Sequence, residues 1–378
     1  MTRLSKLFTE FFESEKAGGV ILIICTVFSL WLSNSSIGDG YIAFWNIHIG
    51  SHSITHWIND GLMAIFFLLI GLELEREIYI GELSEIKNAL LPVIAALGGV
   101  LVPAGIYLLF NYGSAAQSGA GIPMATDIAF AIGILSLLGK RVPASLKIFL
   151  TALAVIDDLC AIIVIAVFYT TSISFFYLGI AIGIFVAMLI MNRLKIRNLI
   201  PYLLGGVAMW YCMLHSGIHA TIAGVLTAFA IPFGSGNKKS TSYILQHWLH
   251  KPVAFIILPL FALANTCIAF GSDWTSGLFS DSGIGIYAGL VAGKPIGILL
   301  FSAVAVATGI CALPGELKWK HMAGAGLLAG IGFTMSIFVT LLAFTDPHLI
   351  DLSKISIIFA SLTAGILGLA WLKIVLRA

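Results

Sequence analysis

Charge is what this chain has least of. Of its 378 residues 10% are Asp, Glu, Lys or Arg, against 59% hydrophobic. Soluble domains carry about 25% charge, so with a mean hydropathy of +1.04 an ordinary soluble domain is excluded. A formal net charge of +2 gives no basic footprint for nucleic acid. Cysteine is sparse as well. Cys25, Cys160, Cys212, Cys267 and Cys311 form no CxxC pair, which indicates neither a disulfide framework nor a zinc site. A nucleotide-binding motif is also lacking. The letters GxxxGK before Pro295 fall one residue short of P-loop spacing, put proline at the magnesium-binding position and lie inside an apolar run. The first apolar run has no A-x-A cleavage site after it, so a retained helix is expected rather than a signal peptide.

What is present in quantity is apolar sequence. Runs of spanning length recur at about 17–34, 57–76, 90–111, 121–138, 146–169, 176–192, 200–214, 218–232, 253–271, 284–307, 321–343 and 354–375. They predict an all-α polytopic membrane protein of twelve transmembrane helices. The 39 glycines lie mostly inside these runs, where they suit close helix packing. The basic residues support the count. Of the 20 Lys and Arg, all but Lys354 and the mid-span Lys294 fall on one set of alternate connections. That side is expected to be cytoplasmic, together with both termini. Between the first two spans, Asn46–Thr55 (NIHIGSHSIT) alternates apolar and polar residues around Gly50-Ser51. It reads as a short outer β-hairpin or as an irregular loop.

Asp157 and Asp158 stand side by side in the middle of Ile148–Phe168, where every other residue is uncharged. An aspartate at the bilayer centre costs roughly 2.5–3.5 kcal/mol on insertion scales. Neither can snorkel to an interface from mid-helix, so the pair points to a cation or proton site within the membrane. The other deep acid is Asp127, the only deep base is Lys294, and Asp60 lies near the end of the second span. Adjacent helical residues point about 100° apart, so one aspartate can face a cavity while the other meets a neighbouring helix. Lys294 is the natural partner for the second, as a static salt bridge or as one that breaks during transport.

Two spans are interrupted. Pro123 and Thr126-Asp127 break GIPMATDIAFAIG, while Gly330, Gly332 and Thr334 weaken AGIGFTMS. Broken helices are tolerated in a membrane beside a cavity or inside protein, and their ends carry partial charges of roughly ±0.5. If the breaks cross, Asp127 offsets converging N-termini and Lys294 converging C-termini. Two such breaks in corresponding halves point to a transporter built from inverted repeats.

The segments AVIDDL, ATDIAFAIG, WINDGLMAIFFLLIGLELERE, HSGIHATIAGV, GKPIGI and GIGFTMSIF, spread along the chain, resemble the NhaA family of bacterial sodium/proton antiporters. The resemblance implies inverted-topology repeats in one transporter domain. Core helices would lie at about 90–169 and 284–375, with interface helices at about 17–76 and 176–271. The fourth and eleventh helices would be interrupted and crossed, and the hairpin would hold a homodimer. It implies sodium held by Asp158, Asp157 and Thr126, with Thr126, Asp127 and Lys294 at the crossing. A pH-sensing cluster would map to Glu15, Glu73, Arg76, Glu77, His247 and His250, with His219 also tied to pH response. This chain departs from that cluster. Gln246 replaces a glutamate, Tyr243 and Ile244 replace a basic pair, Glu75 stands where a lysine is expected and His215 replaces a lysine.

The expected activity is exchange of cytoplasmic Na+ or Li+ for external H+. Two acids can release up to two protons per cation, which makes the exchange electrogenic. It would serve sodium extrusion, salt tolerance and internal pH from a bacterial inner membrane, with lipid and a second copy as partners. No enzymatic step and no cofactor are expected. Other readings fit less well. An intramembrane aspartyl protease needs aspartates on separate helices and a GxGD, and a cation channel would be obstructed by a mid-membrane lysine. An ion-coupled transporter of another substrate on the same fold stays open.

Overall fold

The computed structural model describes residues 6–170, 173–271 and 274–376; within them the side chains of residues 6–16, 82, 86–88, 140 and 276 are not described. The chain is mostly α-helical. Eight helices among the described residues are long and apolar enough to cross a membrane: Ile54–Tyr79, Ala89–Asn111, Gln117–Ser136, Ala144–Phe168, Phe175–Arg193, Thr241–Asn265, Asp281–Ala307 and Pro347–Val375. Two bent pairs bring the number to 10, Ala17–Ser33 with Gly38–Trp45 (119°) and Trp319–Ala329 with Phe333–Ala343 (47°). The protein is a multi-pass membrane protein.

The apolar runs predicted two spans more than this, and the difference lies at 200–232. There the chain forms Leu199–Leu214, of 16 residues, and Ile222–Ala230, of 9. At 1.5 Å per residue these reach about 24 and 14 Å, short of a hydrocarbon core about 30 Å thick. The two apolar runs part where expected, at Gly217 with φ +84°, but the second helix starts only at Ile222, so composition overstated the helical length.

The aspartate-bearing helix Ala144–Phe168 sits at the centre, with Leu146, Leu150, Leu153 and Ala154 wholly buried. Helix Phe175–Arg193 is its opposite. Ala181 and Met188 alone are buried there, and Ile182, Val186 and Ile190 face outward as lipid contacts would. The helix ending at Asn111 and the one beginning at Lys294 approach backbone to backbone. A methyl group on Gly98 would strike the Gly297 carbonyl and the Phe301 ring, and one on Gly297 would strike the Gly98 carbonyl. Small residues at this contact let the lysine helix come close. A π-helical turn at Gly289–Gly293 shifts its register immediately before Lys294.

In the connection that precedes helix Ile54–Tyr79, His48–Ile49 pairs antiparallel with His52–Ser53, His48 opposite Ser53 and Ile49 opposite His52. Gly50 supplies the positive φ, +70°, that this two-residue turn requires.

Candidate functional site at two helix breaks

The interrupted spans touch at their breaks. The Asp127 backbone N–H donates to the Ile331 carbonyl at 2.7 Å. One Asp127 side-chain oxygen accepts from Phe130 N at 2.9 Å, capping helix Ile128–Ser136. The other accepts from Thr334 N at 3.0 Å and from the Thr334 hydroxyl at 2.5 Å, at the start of helix Phe333–Ala343. A single carboxylate therefore caps two half-helix N-termini, where orphan N–H groups and positive dipole ends both favour a negative charge. Gly330 and Gly332 lie between the halves, and a methyl on Gly330 would meet the Leu290 carbonyl of the lysine helix's π-turn.

The C-terminal ends of the other two halves meet cationic and hydroxyl donors. Lys294 Nζ donates to the Met124 carbonyl and pairs with Asp157 Oδ2 at 2.7 Å, both side chains wholly buried. The Thr126 hydroxyl lies 2.7 Å from Asp157 Oδ2 and 2.9 Å from the Ala329 carbonyl. A hydroxyl has one proton, so it donates to one of these oxygens at a time.

Asp158, next in the chain, is treated differently. It is 1% exposed, and neither of its carboxylate oxygens has a hydrogen-bond partner among the described residues. Asp157, Asp127 and Lys294 are all within electrostatic reach of it. The site thus holds side by side a base, an acid engaged through one oxygen and an acid engaged through neither, all buried. With the Thr126 hydroxyl and the Ala329 carbonyl it offers a set of oxygens suited to a hard cation.

The remaining predicted residues form two groups away from this centre. Asp60 lies in a π-helical turn at Trp57–Leu62, 3.4 Å from His56 Nε2, with His52 stacked on His56 and His219 within electrostatic reach. On the other group's helix, Glu73 pairs with His250 at 3.3 Å and Arg76 with Glu77 at 3.7 Å. His247 stacks on Tyr243, the replacement for part of the basic pair. Glu15 falls where side chains are not described. Several contacts were not anticipated from sequence. Ser336 donates to the Ile122 carbonyl at 2.7 Å and Ser361 accepts from Phe333 N at 3.1 Å, each bracing the break. Ser336 lay in the quoted TMS triplet; Ser361 sits in an unbroken helix and gave no signal.

Residues 9–372 match the Na+/H+ antiporter 1 family. A Na(+)/H(+) antiporter NhaA 1 of Flavobacterium johnsoniae is 67% identical over 374 residues, covering 99% of this chain and 98% of the relative. A Na(+)/H(+) antiporter NhaA of Cytophaga hutchinsonii is 62% identical over 375 residues, covering 99% and 97%. One of Dechloromonas aromatica is 59% identical over 376 residues, covering 98% and 97%. The chain belongs to the Na+/H+ antiporter 1 family.

Proposed function

We propose that this protein is a secondary transporter that exchanges cytoplasmic Na+, or Li+, for external H+ across a bacterial inner membrane. Asp158 carries the reading. A buried carboxylate without partners is neutralised by a proton or by a cation, and the two compete for the same oxygens. Competition at one site, reached alternately from each side, couples the fluxes. Asp157, Thr126 and the Ala329 carbonyl complete the sodium shell. Asp157 is drawn from Lys294 when sodium binds, and the opened pair carries the second proton, so up to two protons move per sodium and the cycle is electrogenic. No bond is made or broken in the cargo, and no cofactor takes part.

The proposed architecture has twelve spans, counting Leu199–Leu214 and Ile222–Ala230 as two short ones, with both termini cytoplasmic. The interrupted spans cross within a core at about 90–169 and 284–375, and the helices at about 17–76 and 176–271 form the interface part. The group around Glu73, Arg76, Glu77, His247 and His250 sets the active pH range at the cytoplasmic mouth, with Asp60 and His219 responding on the outer side. Asn46–Thr55 joins two copies. Deleting it gives monomers that still transport, and a dimer surviving the deletion, by mass in detergent, counts against that role.

The main experiment uses inverted membrane vesicles holding an acid interior. Added Na+ or Li+ dissipates the pH gradient and K+ does not. A gradient that Na+ leaves intact, across the whole pH range tried, removes the antiport reading.

A further inference from the structure

On the face of helix Thr241–Pro252 that meets Met63–Tyr79, buried polar residues recur one turn apart: Ser242 (1% exposed), Gln246 (1%) and His250 (7%). A spacing of four residues aligns them in one row. Opposite them on the facing helix are Glu73 and Glu75, also buried. His250 and Glu73 pair with one another at one end of the row.

Glu75 has no comparable partner. It is 4% exposed, and its one hydrogen bond is from the Ser242 hydroxyl at 3.4 Å, near the outer limit for such a bond. No basic side chain among the described residues is within ion-pairing distance of it. Gln246 lies between Ser242 and His250, both of which touch the acids opposite, and its buried Nε2 has no partner. A half-turn of the terminal torsion exchanges that nitrogen for the amide oxygen. The Ser242–Gln246 end of the row, with Glu75 opposite, then holds a carboxylate, a hydroxyl and an amide oxygen, while the His250 imidazole at the other end is engaged by Glu73. Such a set, carrying one negative charge and neither sulfur nor imidazole, suits a hard monovalent cation.

Leu74, next to Glu75, belongs to a small apolar cluster with Ile128, Ile132, Ala154 and Val155. Ala154 is one helical turn before Asp158. Glu75 therefore stands one apolar cluster away from the aspartate pair.

We propose that Glu75, with the Ser242 hydroxyl and the Gln246 amide oxygen, forms a weak entry site for sodium on the cytoplasmic side of the aspartate pair. This rests on the antiport reading above and adds a second position for the same cargo. A charge at the mouth of a low-dielectric path concentrates the cation and speeds its arrival, without changing the step at the pair.

The test is sodium-driven proton flux in inverted vesicles, where the cytoplasmic face meets added sodium. Glu75→Gln raises the apparent KM for sodium about tenfold with kcat at saturating sodium unchanged, and Glu75→Asp restores most of it. Ser242→Ala and Gln246→Leu raise KM by smaller factors and carry the test should Glu75→Gln not assemble. A KM unchanged in all of these variants overturns the entry site while leaving antiport intact. Loss of kcat and thermal stability together, unrescued by Glu75→Asp, also overturns it and leaves Glu75 a packing residue. Absence of sodium-driven flux in the unaltered protein would sink the antiport reading first, and this one with it.

Discussion

Lys294 pairs with Asp157 at 2.7 Å, while both oxygens of the neighbouring Asp158 are without a hydrogen-bond partner among the described residues. The two acids are adjacent in sequence yet lie in opposite states. One oxygen of Asp157 is held by a base and a threonine, whereas neither oxygen of Asp158 has a hydrogen-bond partner among the described residues. This asymmetry assigns the first prediction. Asp158→Asn keeps the shape of the side chain and removes its charge, and it should abolish sodium-induced proton release from purified protein at every pH. Sodium-dependent release that persists at full amplitude would move the ion site elsewhere.

The Lys294–Asp157 pair is predicted to be structural as well as mechanistic. Removing one partner of a buried ion pair typically costs about 3–5 kcal/mol, because the other charge is left uncompensated. Lys294→Ala should therefore lower the melting temperature sharply and reduce the protons moved per sodium. Lys294→Ala combined with Asp157→Asn should recover part of the lost stability, since neither charge then remains alone. A double variant that melts below both single ones would show that the pair is not the source of the loss.

Asp127 makes a different kind of contribution, as a cap for two helices at once. One N-cap is worth about 1 kcal/mol, and a buried donor left unpaired costs about 1–3 kcal/mol. Asp127→Ala should thus destabilise by several times the usual cap value, on the order of 3 kcal/mol or more. Asp127→Asn retains one acceptor oxygen and should lose less. Equal losses in thermal melts would mean that the negative charge between the converging N-termini matters and the hydrogen bonds do not.

Much of this was legible in the sequence, for reasons that differ between residues. A charge costs so much in hydrocarbon that Asp157, Asp158, Asp127 and Lys294 could hardly be accidental, and their closeness could be anticipated without coordinates. The breaks were legible because Pro123 and the glycines around Gly330 interrupt otherwise uniform runs. The region 200–232 was legible as two runs that part at the turn of Gly217, but hydropathy counts composition and did not show that the helices there are only 16 and 9 residues long. The brace from Ser361 to Phe333 was not visible either, as a serine in a long helix usually bonds its own preceding turn. The seam between Glu75 and Ser242 depends on which faces of two distant helices meet, and spacing along either helix does not state that.

The last prediction concerns pH. If protons and sodium compete for Asp158 as proposed, sodium binding releases protons and the apparent sodium affinity must rise with pH. The rise is at most about tenfold per pH unit for each proton displaced, and it levels off once the site is free of protons. Charges at the cytoplasmic mouth shift the midpoint without creating the effect, because they act through the field at the pair. Gln246→Glu places a second carboxylate in the row with Glu75, where it favours any cation, proton or sodium, in that neighbourhood. Measured between about pH 6 and about pH 9, both proteins should gain sodium affinity as pH rises, with displaced midpoints. A flat dependence in both would rule out competition at the pair as the coupling device. Coincident curves would leave that mechanism standing and show that position 246 has no part in setting its pH range.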